Sequence, residues 1–278
     1  MEERVSYALA ALDMDGTLLN SNHETTAYTR AVLQRVAAAG KVLALSTGRA
    51  HSELARHLAE NPSIEYVIGE NGARVYNARS GEVIRCVNLD DGDLDFFLTE
   101  AARFDTVLQV FLEGQSWMQG ALDESLQNYR ILEFLDAFLT GSRTVEDMRA
   151  LCHSKPGCAG KLNIYFRSLE DRAAYCERIK DRPVVLSVSI GYGIEISPAG
   201  ATKASGLQAL CDHLGIPIER SMALGDAGND VEIMQAAGLS VAMSNAIESV
   251  RALAQVVTEE DCDHDGAAKA IERYMLDV

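Results

Sequence analysis

The apolar residues fall in short unbroken runs, each stopping at a cluster of small or acidic residues. Ala8-Leu9-Ala10-Ala11-Leu12 ends in Asp13-Met14-Asp15-Gly16-Thr17, Val42-Leu43-Ala44-Leu45 in Ser46-Thr47-Gly48-Arg49, and Met222-Ala223-Leu224 in Gly225-Asp226. A run without alternation suits a strand covered on both faces, as in the centre of a parallel sheet. Between these runs apolar residues recur at helical spacing. Ala27, Ala31, Val32, Leu33, Val36 and Ala39 predict a helix over 25–39, capped by Gly40. Further helices are predicted at about 50–60, 204–214 and 266–275, through Met234 to Ala237, and from Ala246, with strands at 66–69, 239–242 and 255–257. Asn71-Gly72 reads as a tight hairpin turn with 73–76 as the returning strand. The recurring strand-helix rhythm predicts an α/β, doubly wound, mainly parallel sheet with right-handed crossovers.

From Gly81 onward the pattern changes. A helix opens near Asp90, strands are predicted at 107–112 and 184–189, and a helix at 169–180. Residues 161–166 alternate apolar and polar, as a strand half-exposed on one face does. This stretch reads as a second α/β domain, 83–189, inserted into a first domain formed by 1–82 and 190–278, with 193–198 bringing the chain back.

Composition narrows the function classes. The chain has 278 residues, enough for one large or two moderate domains, and its 47% hydrophobic and 24% charged content is that of an ordinary globular protein. A net charge of −16 argues against nucleic acid and anionic membrane as partners, since both need a basic face. The first apolar run is too short to span a membrane and lacks a signal-peptide pattern, so a cytoplasmic location is expected. The six cysteines show no C-x-x-C pair and read as reduced, mostly buried thiols; Cys152-His153 with Cys158 lacks a second pair to complete a zinc site.

Taken singly, the polar clusters are ambiguous. Asp13 and Asp15 at a strand end suit a hard cation or a plain Asp-Gly turn. Thr47 and Gly48 suit a phosphate at a helix start or a simple N-cap. Lys203 reads on its own as a solvated surface lysine, and Asp226 and Asp230 as a cap and a first-turn acid.

Their order changes the picture. Asp-Met-Asp-Gly-Thr-Leu-Leu, Ser-Thr-Gly-Arg, a helix-initial Lys203 and Gly-Asp-Ala-Gly-Asn-Asp follow one another, each at a strand end or helix start. This series resembles the four motifs of the haloacid dehalogenase (HAD) superfamily, and with Glu-Asn-Gly-Ala it is most similar to the Cof-type phosphatases, whose class IIB cap lies between the second and third motifs. The resemblance covers roughly 9–78 and 194–266. It implies Asp13 as nucleophile, Asp15 as acid/base, and Mg²⁺ held by Asp13, the backbone carbonyl of Asp15 and Asp226. It further implies substrate contacts from Thr47, Gly48, Lys203 and Asn229, with subsidiary roles for Arg49, Asn71 and Asp230. The chemistry demands such a set, because phosphate monoester hydrolysis needs on the order of 20 kcal/mol or more of transition-state stabilisation.

The inserted domain carries no specific motif. Trp117, Met118 and His153 read as packing or surface residues. The family's cap selects the leaving group, so the resemblance implies a small phosphorylated metabolite of the sugar phosphate, flavin mononucleotide or pyridoxal phosphate type. Two rival readings are a phosphosugar mutase of the same fold and a non-catalytic phosphometabolite-binding protein.

Overall fold

Leu9, Ala10, Ala11 and Leu12 are each fully buried, and they form the strand about which the first sheet is arranged. The computed structural model describes residues 6–276. Strands numbered along the chain are β1 (Leu9–Leu12), β2 (Val42–Ser46), β3 (Tyr66–Gly69), β4 (Arg74–Asn77) and β5 (Val83–Cys86). An excursion follows with β6 (Thr106–Leu112), β7 (Gln115–Gln119), β8 (Ser142–Val145), β9 (Ala159–Phe166), β10 (Val184–Val188) and β11 (Gly193–Pro198). The chain closes with β12 (Ser221–Gly225), β13 (Leu239–Ala242) and β14 (Val256–Val257).

The described chain divides into two units. The first runs to Gly48, resumes over Arg56–Arg85 and continues from Thr202; the second is Arg49–Ala55 with Cys86–Ala201.

The first unit holds an eight-stranded sheet in the order β14-β13-β12-β1-β2-β3-β4-β5. It is parallel from β14 to β3, and β4 turns back antiparallel on β3. Strand order reverses at β1, which has β2 on one side and β12 on the other, and such a switch point is where open α/β sheets bind ligands. The register aligns Leu12 with both Leu45 and Leu224, so the residues that follow all three leave the sheet at one edge. Burial explains the unbroken apolar runs: each leucine taken fully out of water contributes about 2 kcal/mol, and neither strand face meets solvent. Helix Ala27–Ala38 is capped by Thr26, whose hydroxyl accepts from the Thr29 amide at 3.0 Å. Helix Lys203–Leu214 starts at a Thr202–Ser205 capping box and ends at Gly215 in the left-handed region.

Two expectations about this unit change. The helix expected at about 50–60 is a 3₁₀ turn, His51–Glu53, followed by a short helix, Ala55–Glu60. Glu53 folds back to accept from the Ala50 amide at 2.8 Å, and the turn belongs to the second unit, where Ser52 Oγ donates to the Gly141 carbonyl at 2.6 Å. Asn71-Gly72 is not a two-residue hairpin turn but part of a 3₁₀ turn, Glu70–Gly72, whose three residues all have positive φ. Gly72 is required there, because a Cβ would lie 2.0 Å from the Thr202 carbonyl oxygen.

The second unit is a six-stranded sheet in the order β10-β11-β9-β6-β7-β8, antiparallel except for the parallel β7–β8 pair. Helices Asp91–Ala101, Met148–Ser154 and Leu169–Ile179 contribute to one apolar core with Leu162, Ile164 and Phe166. Gly193–Pro198 does not return the chain to the first sheet. It lies between β10 and β9, and Ile194 and Ile196 join this core, so the second unit extends to Ala201. β9 is also not half-exposed: all eight residues are buried. Its polar positions find internal partners, Lys161 donating to Glu195 at 3.0 Å and Asn163 Nδ2 donating to Gln109 Oε1 at 2.9 Å, while Tyr165 packs in a second cluster with Met118 and Phe138.

Candidate active site

Asp13 follows β1 directly, and its amide extends the ladder by donating to the Leu224 carbonyl at 3.1 Å. Lys203, the first residue of its helix, points inward. Its Nζ donates to Asp13 Oδ1 at 2.6 Å and to Asp230 Oδ1 at 2.7 Å, and its side chain is fully buried. The surface-lysine reading of Lys203 is therefore wrong. A buried ammonium needs carboxylate partners to offset its lost hydration, and here it has two.

Asp230 is also fully buried, and both of its oxygens are occupied. Oδ1 takes Lys203, while Oδ2 accepts the backbone amides of Asp226 and Ala227, both at 3.1 Å. Gly225 has to lack a side chain, since a Cβ would lie 2.4 Å from Asp230 Cγ. Asp226 is half-buried and accepts at Oδ1 from the Thr17 hydroxyl at 2.8 Å. Gly16, with φ +80°, makes room for its other oxygen: a Cβ would approach Asp226 Oδ2 to 2.5 Å.

Carboxylate oxygens of Asp13, Asp226 and Asp230 lie within 4.8 Å of one another. Hard oxygen donors packed this closely around a single ammonium leave surplus negative charge, and they suit a small divalent cation. Burial and crowding act together on these groups. Burial, then the Asp230 charge, pushes the Asp13 carboxyl well above the usual range, with Lys203 opposing. Burial likewise raises Asp226 to about 6, opposed by the Thr17 hydrogen bond. Burial alone would lower Lys203, but Asp13 and Asp230 outweigh it and hold the ammonium above its ordinary value. Taken alone, a neutral Asp13 would remove part of the reason for a charged Lys203. Because the groups titrate as one cluster, we assign the Lys203 ion pair as formed and the raised carboxyl to Asp226.

A model of the haloacid dehalogenase-like hydrolase family matches residues 10–271. The chain belongs to that family. It is similar to the HMP-PP phosphatase of Serratia proteamaculans (strain 568), 29% identical over 272 residues that cover 97% of this chain and 96% of the relative. It is also 28% identical over 277 residues to the 5-amino-6-(5-phospho-D-ribitylamino)uracil phosphatase YitU of Bacillus subtilis (strain 168), covering 96% and 97%. The solved structure of a HAD subclass IIB sugar phosphatase, BT4131, shares the fold, with a TM-score of 0.80 at 23% identity, covering 96% of this chain and 98% of that one. No helix among the described residues is long and apolar enough to cross a membrane.

In this haloacid dehalogenase-like hydrolase the expected residues gather unequally. Asp13, Lys203, Asp226 and Asp230 share one bonded cluster. The Asp15 side chain is exposed, with Oδ1 3.2 Å from His23 Nδ1, and its charge helps raise Asp226. Thr47 is tied by its backbone, its amide donating to Ile68 and its carbonyl accepting from Asn71, at 2.9 and 3.1 Å. Gly48 ends the first stretch of the first unit, Arg49 belongs to the second unit, and Asn229 is exposed on the turn before helix Val231–Ala236.

Three contributors were not among the expected site residues. Thr17 restrains Asp226, and its place in Asp-Gly-Thr was the available signal. Asn245 donates to the Gly16 carbonyl at 2.8 Å and accepts from the Cys262 amide at 3.1 Å, gripping the turn after β1 from beyond β13. His23, in the polar loop 20–23, reaches Asp15. Nothing in the spacing of Asn245 or His23 announces those contacts.

Proposed function

We propose that this chain is a Mg²⁺-dependent phosphatase that hydrolyses a small phosphorylated metabolite through an aspartyl-phosphate on Asp13. The observation that carries this reading is the buried Asp13–Lys203–Asp230 chain with Asp226 beside it. A protein that only held a phosphate would have no use for a carboxylate fixed at the centre of an anion site, whereas a nucleophile has to be there. Asp13 and Asp226, with the Asp15 backbone carbonyl, would hold the cation, and Asp230 would keep Lys203 and the 226–227 amides in place. Mg²⁺ held there would supply positive charge to offset the acids and the phosphoryl group.

The protein's own groups then divide the work. Lys203 balances a phosphoryl oxygen as a point charge. Thr47 and the Gly48 amide hold another oxygen, and Asn229 contacts the substrate or orients Asp226. Asp15 protonates the departing oxygen, and as a carboxylate deprotonates the water that hydrolyses the aspartyl-phosphate. Substrate choice we assign to the second unit. The relatives' printed activities, on HMP-PP and on a ribitylaminouracil phosphate, support a small phosphate ester or anhydride as the substrate class. Sugar phosphates, flavin mononucleotide and pyridoxal phosphate belong in the same screen.

Asp13→Asn tests the reading. With 4-nitrophenyl phosphate and Mg²⁺ it should cut phosphate release by about 10³-fold or more while circular dichroism shows the variant still folded at the assay temperature. Turnover within tenfold of the parent would overturn the mechanism.

A further inference from the structure

After β13 the chain makes a turn, 243–247, whose backbone is anchored to the end of β12. The Met243 amide donates to the Gly225 carbonyl at 3.1 Å, and the Ile247 amide to the Asp226 carbonyl at 3.0 Å. From the middle of that turn the Asn245 side chain crosses to the loop after β1, where its Nδ2 donates to the Gly16 carbonyl at 2.8 Å. Its Oδ1 accepts the Cys262 amide at 3.1 Å. With that oxygen taken by a donor, the amide group faces Gly16 with its nitrogen. Asn245 thus bridges the ends of β1 and β12, the two strands that deliver Asp13 and Asp226.

The residue it grips is the pliable one. Gly16 has φ +80°, and a Cβ there would lie 2.5 Å from Asp226 Oδ2, so no side chain can stiffen the position. On one side of it is Asp15, whose backbone carbonyl is assigned to the metal. On the other is Thr17, whose hydroxyl holds Asp226 at 2.8 Å. Rotation at Gly16 would move both.

We propose that Asn245 is a positioning residue for the cation site: by holding the Gly16 carbonyl it fixes the Asp15 peptide on one side and the Thr17–Asp226 pair on the other. This rests on the reading of Asp13, Asp226 and the Asp15 carbonyl as the groups that hold the cation. Residues that orient metal ligands set affinity by about 10–100-fold without touching the ion.

The measurement is Mg²⁺ affinity by titration calorimetry in the absence of substrate. A merely structural residue would lower the melting temperature of the metal-free protein and leave that affinity alone. N245D keeps the size and the acceptor for Cys262, but it turns an oxygen toward the Gly16 carbonyl where the donor was. Its added negative charge alone would tighten Mg²⁺ binding, so a looser site reports the lost grip. N245D and N245A should each weaken Mg²⁺ about tenfold, while S21A, which removes a hydroxyl bond to Asp263 in the same loop, should stay within about twofold of the parent. A loss of less than about threefold in either Asn245 variant, or an equal loss in S21A, overturns the positioning role. The cation site itself then stands, provided that the parent binds Mg²⁺ and Asp226→Asn abolishes that binding. A parent that takes up no Mg²⁺ overturns the site, and the role of Asn245 with it.

Discussion

Asp230 and Lys203 meet at 2.7 Å with both side chains sealed from solvent, and the other Asp230 oxygen accepts the Asp226 and Ala227 amides. Removing one partner of a buried pair leaves the other charge stranded. Asp230→Ala should therefore destabilise the first unit by about 3 kcal/mol or more, read from denaturant unfolding, besides abolishing turnover. Asp230→Asn keeps the shape and an acceptor for the amides, so it should lose less stability and still lose activity. A cost below about 1 kcal/mol for D230A would mean that the loop stands without this acid.

The crowded acids should make the protein respond to metal. Mg²⁺ at about 100 times its Kd adds roughly 2.7 kcal/mol to stability, and chelation takes it away. Thermal melts with Mg²⁺ and with EDTA should differ by several degrees. Asp226→Asn should erase that difference, whereas Asp15→Asn should keep it, because Asp15 is assigned to the metal through its backbone. Equal loss in the two variants would return both aspartates to a plain cation site.

Gly72 and Gly40 both have φ above +70°, but only Gly72 is crowded, with a Cβ position 2.0 Å from the Thr202 carbonyl oxygen. Gly40→Ala should cost about 1 kcal/mol from backbone strain alone. Gly72→Ala should cost about 2–4 kcal/mol and disturb the start of the Lys203 helix, seen as lost activity at temperatures where the protein is still folded. Equal costs would show that the close approach relaxes freely.

Burial pushes the Cys152 and Cys211 thiols up to about 11, so at pH 8 both stay protonated and unreactive. Their reactivity should rise only as pH climbs toward that value. Iodoacetamide at pH 8, followed by peptide mass spectrometry, should label the exposed Cys86 and spare these two until denaturant is added. Early labelling of Cys211 would show the Lys203 helix opening on its own.

How much of this was legible in the sequence depended on how local each cause was. β1, β2 and β12 were readable because burial on both faces writes itself as an apolar run. The ends of those runs located Asp13, Thr47 and Asp226. The burial of Lys203 was not readable from its neighbours, since its partners lie 190 and 27 positions away; only motif order pointed there. β9 misled because alternation records two different faces without saying whether the polar one meets water or, as with Lys161 and Glu195, an internal partner. Ile194 and Ile196 suited either sheet, so the return of the chain was placed too early. The break at Leu54 comes from Ser52 and Glu53 bonding to residues near 109–141, information absent from the helix's own letters.

The place of β1 between β2 and β12 also sets a timetable for synthesis. One neighbour, β2, follows within about 30 residues, but the other begins at Ser221, about 210 residues after Leu9. At roughly 5–20 residues per second, a ribosome leaves that flank of β1 without its partner for about 10–40 s, while the whole inserted unit is made and can fold. For that interval a wholly apolar strand of the first sheet is an open edge, the kind that pairs with other chains. Newly made copies of this enzyme should thus be most prone to aggregate, and most in need of a chaperone, when truncated or stalled before Gly225.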